Sequence, residues 1–112
     1  MTCRALLIAC AISALAVPAA HADAISDAAK LGANAGAMKY CRENFATDED
    51  EGRYKLLALA AGKELGDLSE GKTKALLMKK ATEEKGEYLG KPLDQGRCES
   101  IRKILATKYA ID

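Results

Sequence analysis

The chain has 112 residues, with 17 Lys and Arg against 16 Asp and Glu and a formal net charge of +1. That length is one domain's worth, and the neutral balance excludes partners held by bulk charge, such as nucleic acid or an anionic membrane. Tryptophan is absent, and a single phenylalanine and four tyrosines make up the aromatic complement.

Residues 1–22 read as a cleaved secretory signal peptide. Arg4 supplies the positive charge, Ala5 to Val17 the apolar segment, and Pro18 its end. Ala20-His21-Ala22 places small residues at −3 and −1, so cleavage is expected after Ala22 and the domain spans 23–112. The apolar run is shorter than the roughly 20 residues needed to cross a bilayer. An uncleaved anchor and a lipoprotein site at Cys10, in Leu7-Ile8-Ala9-Cys10, are the competing readings. The protein is therefore expected in the periplasm or outside the cell, with no membrane span in its mature form.

Cleavage removes Cys3, Cys10, Arg4 and the only histidine, His21, leaving 16 basic and 16 acidic residues. Without histidine there is no Ser-His or Cys-His nucleophile pair, no His-ligated zinc or haem, and no imidazole pH switch. No glycine-rich phosphate loop and no paired-carboxylate motif stands out. The chain is read as a non-enzyme, with no cofactor, metal site or catalytic residue assigned.

The two remaining cysteines, Cys41 and Cys98, read as a disulfide, because an exported chain with an even cysteine count is normally cross-linked. Leu31, Met38 and Phe45 recur every seven residues, and Cys41 lies beside that stripe. Cys98 opens a second stripe with Ile101, Leu105 and Tyr109. Both thiols thus face a core where two helices can meet. Closing a loop of roughly 57 residues is worth on the order of 4 kcal/mol in the chain-entropy model. No C-x-x-C spacing favours redox catalysis; buried free thiols are the alternative.

Four helices and no strand are expected. The first spans about Ile25 to Asn44, with Gly32 and Gly36 costing roughly 1 kcal/mol each relative to alanine. Its GANAG stretch either permits close packing or lets the first turns fray. Thr47 and Asp50 form an acidic capping box, and Asp48, Glu49, Asp50 and Glu51 occupy the favourable first turn of a second helix, Asp48 to Leu65. A cation loop is the alternative for these carboxylates, although the EF-hand pattern is missing. Tyr54, Leu57, Ala58, Ala61 and Leu65 make the inner stripe of this helix. Leu56 and Leu59 fall on the other side, so the helix is either sandwiched between neighbours or offers that side to a partner. A third helix runs from about Glu70 to Lys85 with Ser69 as N-cap, its lysines spread around a solvated circumference. Gly86 to Gly96 is turn-rich, and a fourth helix runs from Asp94 or Gln95 to Tyr109. The sum is an all-α, compact four-helix mini-domain tied by Cys41–Cys98.

The stretch Ala35-Gly36-Ala37-Met38-Lys39-Tyr40-Cys41, with Asn44, resembles the AG…YC…N segment of a YjjA-type family of small exported bacterial proteins. GRCESIRKIL, with EYLGK before it, resembles that family's second cysteine segment. The resemblance implies export, helices and the disulfide, and no activity. In architecture alone, the chain is similar to HdeA-type acid-activated periplasmic chaperones.

The function expected is a non-catalytic protein-binding or envelope-stress module with an unidentified protein partner. Sixteen carboxylates titrating between about pH 5 and pH 3 would leave a strongly cationic chain, able to loosen and expose Leu56 and Leu59. The alternative is a dedicated inhibitor or immunity protein that inserts Asp48, Glu49, Asp50 and Glu51 into the basic cleft of one secreted toxin or hydrolase.

Overall fold

A computed structural model describes residues 19–111, with side chains from residue 27 onward. Residues 1–18 of the expected signal peptide, including Cys3 and Cys10, lie outside the described residues. Helix α1 covers Ala19–Asn44, so the expected cleavage point after Ala22 falls in its first turn. It is followed by α2 (Glu51–Gly66), α3 (Lys72–Lys85), a hairpin of β1 (Glu87–Tyr88) and β2 (Lys91–Pro92), and α4 (Gln95–Tyr109).

The helical mini-domain is as the periodicity predicts, but its centre is α1. Every residue from Leu31 to Met38 is buried, because α3, α2 and α4 all pack around this helix. Fraying of the GANAG stretch is therefore overturned. Small residues win here because they admit a neighbouring backbone. A Cβ on Gly32 would lie 2.0 Å from the Ala75 carbonyl oxygen, and one on Gly36 would lie 2.5 Å from that of Lys79. Glycine's propensity penalty is offset by close contact between α1 and α3, a use of G-x-x-x-G that needs no membrane.

Two clusters form the core. Ala28, Leu31, Ala35, Ala61, Leu65 and Ala75 join α1 to α2 and α3. Met38, Cys41, Tyr54, Leu57, Cys98, Ile101 and Leu105, with Leu93 before α4, join α1 to α2 and α4. The second cluster contains the disulfide: Cys41 and Cys98 are bonded, with Cα atoms 5.7 Å apart and both residues fully buried. At this chain length the apolar core alone gives a thin margin, and the bridge restricts the unfolded chain over a long loop.

Local signals hold at most helix ends. Thr47 and Asp50 exchange the reciprocal bonds of a capping box, the Thr47 amide donating to Asp50 Oδ1 at 2.6 Å and the Asp50 amide to Thr47 Oγ1 at 3.3 Å. They close the turn ahead of α2, however: the helix begins at Glu51 rather than Asp48, so of the four carboxylates only Glu51 lies in its first turn. Asp94 caps α4 by accepting from the Arg97 amide at 2.7 Å. The start of α3 differs from expectation. Its N-cap is Gly71, at φ +73, rather than Ser69. The chain crosses α1 at that point, where a Cβ on residue 71 would sit 2.7 Å from the Ala28 Cβ.

The hairpin is the other departure. Each strand has two residues, with Glu87 opposite Pro92 and Tyr88 opposite Lys91, too short for an alternating pattern to register. Leu89 and Gly90, at φ +51 and +87, form its two-residue loop, which meets the positive-φ requirement of a type I′ turn. Among the described residues no helix is long and apolar enough to cross a membrane.

Candidate functional site

The inner stripe of α2 is buried as expected: Tyr54, Leu57, Ala61 and Leu65 face α1 and α4. Because α1 is the central helix, nothing among the described residues covers the other side of α2. Leu56 is 51% exposed and Leu59 is 61% exposed. The sandwiched reading of α2 is corrected accordingly, and its second apolar side is open without any acid-induced loosening.

Leu59 borders a groove of about 550 Å³ that α2 and α3 leave between them above α1. Ala35 of α1 and Ala58 and Gly62 of α2 line it with small apolar groups. The charged residues lining it are all cations: Lys39 and Arg42 from α1, Lys55 and Lys63 from α2, and Lys79 from α3. Two carboxylates reach this rim. Glu51 binds Arg42 at 3.1 Å. Glu83 binds Lys79 at 2.7 Å and Lys39 at 3.7 Å. Among the described residues, Lys55 and Lys63 have no carboxylate within 4.0 Å. Leu56 does not line this groove.

The four acidic residues do not act as one cluster. Asp50 is held by the capping box and Glu51 by Arg42, which leaves Asp48 and Glu49 exposed and outside those contacts. Among the described residues no group of three or more His, Cys, Asp or Glu is placed to hold a metal ion. The cation-loop reading thus gains no support from geometry, and the helix-start reading accounts for Asp50.

A second cleft, of about 700 Å³, lies between α1, α4 and the hairpin. Leu31, Ile101 and Leu105 line it, together with Asn34, whose side-chain oxygen accepts from the Tyr88 hydroxyl at 2.5 Å. Its rim mixes Asp27, Glu64 and Glu70 with Lys30 and Lys108, so no single charge sign marks it. Glu64 is already engaged by the Tyr109 hydroxyl at 2.7 Å and by Lys108 at 3.3 Å. Burial pushes the Tyr109 hydroxyl above the usual tyrosine range, and its bond to Glu64 adds to the shift. Burial also raises Tyr88, against the Arg97 guanidinium 5.8 Å from its ring, and Tyr54, partly offset by Arg102.

Sequence reading found Leu59 but missed the cationic rim. Its five residues come from three helices and are scattered between positions 39 and 79. The one linear trace is α2 itself, where Lys55, Leu59 and Lys63 recur every four residues on one face. Comparison of the chain with protein-family models, with curated proteins and with solved structures finds no match in any of the three.

Proposed function

We propose that the protein is a non-catalytic protein-binding module that acts in the periplasm or outside the cell. The observation that carries this reading is the open groove along α2, with small apolar residues and exposed Leu59 lining it and five cations, of which Lys55 and Lys63 have no carboxylate within 4.0 Å among the described residues. Exposed apolar surface of this kind, framed by polar groups, marks interaction sites. The buried Cys41–Cys98 bridge supports an oxidising compartment. The motif likeness to the YjjA-type exported proteins belongs to the same proposal and points the same way, without naming an activity.

Leu56 and Leu59 are available in the folded state, which favours constitutive binding over a chaperone that opens only in acid. The dedicated-inhibitor reading through Asp48–Glu51 is weaker, because two of those four carboxylates are committed within the chain. In-cell photo-crosslinking tests the proposal, with a photoreactive residue replacing Leu59 or, as control, the exposed Leu77 of α3. Protein adducts from position 59 and not 77 at neutral pH are expected. Many adducts appearing only near pH 3 would favour the acid-activated chaperone. Absence of adducts from 59 under both conditions would overturn protein binding at this groove.

A further inference from the structure

We propose that the groove between α2 and α3 receives an acidic amphipathic helix of a partner protein, its apolar stripe on the alanine–glycine floor and its carboxylates on Lys55 and Lys63. This rests on the reading of the groove as a protein-binding site and names the chemistry of the partner.

The floor comes first. Helix axes approach to about 8–10 Å depending on the side chains between them, and small residues permit the shorter end of that range. The molecule already uses this device once, where Gly32 and Gly36 bring α3 against α1. Ala58 and Gly62 repeat the composition on the open side, over the buried Ala35 of α1, and a Cβ placed on Gly62 would meet nothing within 4 Å.

Charge then selects among occupants. Lys55 and Lys63 are eight residues apart on α2, which is about 12 Å along the helix, and neither has a carboxylate partner among the described residues. Lys39 and Lys79 share the single carboxylate of Glu83 on the other side of the groove. A single-headed anionic amphiphile would satisfy one cation and leave the rest unused. Nucleic acid would need stacking surfaces, and no aromatic side chain lines the groove. A helix with carboxylates flanking a narrow apolar stripe matches both the floor and the spaced cations, since helical residues seven or eight apart return to one face.

The test uses the isotope-labelled, oxidised protein and amide chemical-shift mapping. Three probes are compared: a synthetic helical peptide of about four turns with glutamates flanking an Ala/Leu stripe, the same peptide with lysines in place of the glutamates, and dodecanoate. The glutamate peptide is expected to shift the amides of Ala35, Ala58, Leu59 and Gly62, and the lysine peptide to leave them unmoved. In the double variant Lys55→Glu/Lys63→Glu, its affinity should fall about tenfold or more with an unchanged melting curve. No groove shift at about 1 mM glutamate peptide, a millimolar site being the weakest of interest, overturns the inference. Equal binding of both peptides, or binding of dodecanoate alone, overturns it too. If Leu59 cross-links to a protein while the glutamate peptide fails, the acidic-helix chemistry falls and the protein-binding groove stands.

Discussion

Replacing Gly32 by alanine adds one methyl group where α1 and α3 run closest, and two effects of opposite sign compete. Alanine is better than glycine in a helix interior by about 1 kcal/mol. Against this, the new Cβ would lie 2.0 Å from the Ala75 carbonyl oxygen, whereas ordinary contact begins at 3.4 Å. This contact must therefore open by about 1.4 Å, the difference between those distances. The obstructing atom is backbone, so no side-chain rotation relieves it. Overpacking of this kind costs about 1–3 kcal/mol, and the lack of a compliant neighbour places Gly32→Ala at the upper end. The net expectation is destabilisation by about 1–2 kcal/mol, or roughly 4–16 °C in Tm for a domain of this size. Gly62→Ala is the matched control. Its Cβ meets nothing within 4 Å, so the propensity gain stands alone and the variant should be more stable by about 1 kcal/mol. Thermal and urea melts of the oxidised proteins, followed by circular dichroism at the helix band, read both changes. A Gly32→Ala protein as stable as the parent would refute the close-packed seam.

Reduction of Cys41–Cys98, or the double change Cys41→Ala/Cys98→Ala, should lower stability by about 2–4 kcal/mol, since the bridge spans a sequence separation of 57; a loss below about 1 kcal/mol in denaturant melts would contradict that account. Tyr54, Tyr88 and Tyr109 are all held above the ordinary tyrosine pKa, first by burial. Folding therefore favours the neutral phenols, and their contribution is complete below about pH 10 and lost as pH rises through the folded-state values. Stability should be flat to about pH 9 and fall above about pH 10, with part of the fall removed in Tyr109→Phe. Phenolate absorbance showing these three tyrosines ionising at the ordinary value in intact protein would count against it. Leu89 is half-exposed in the left-handed region, at φ +51, where a leucine costs about 1–2 kcal/mol. Leu89→Asn should raise stability by about 1 kcal/mol in the same melts, and a loss would mean that the leucine's contacts outweigh its backbone strain.

Much of this architecture is legible without coordinates, because it depends on interactions within one or two turns of the chain. Helical periodicity identifies the stripes Tyr54-Leu57-Ala61-Leu65 and Cys98-Ile101-Leu105, and the Thr47–Asp50 capping box forms between near neighbours. The disulfide follows from cysteine parity and from both thiols facing a core. What only the tertiary structure decides is how those stripes meet. Local preference argues against glycine inside a helix, yet Gly32 and Gly36 are where α3 approaches α1, so the stretch that looked free to fray lies at the centre of the molecule. Once α1 is central, α2 has a neighbour on one side only, and Leu56 and Leu59 are left exposed. The cationic rim has the same origin: Lys39, Arg42, Lys55, Lys63 and Lys79 converge because three helices pack side by side, and linear spacing does not encode that distance. The sequence by itself thus determines which faces are apolar and where the chain is tied, whereas the choice between burying an apolar face and presenting it is made by long-range packing.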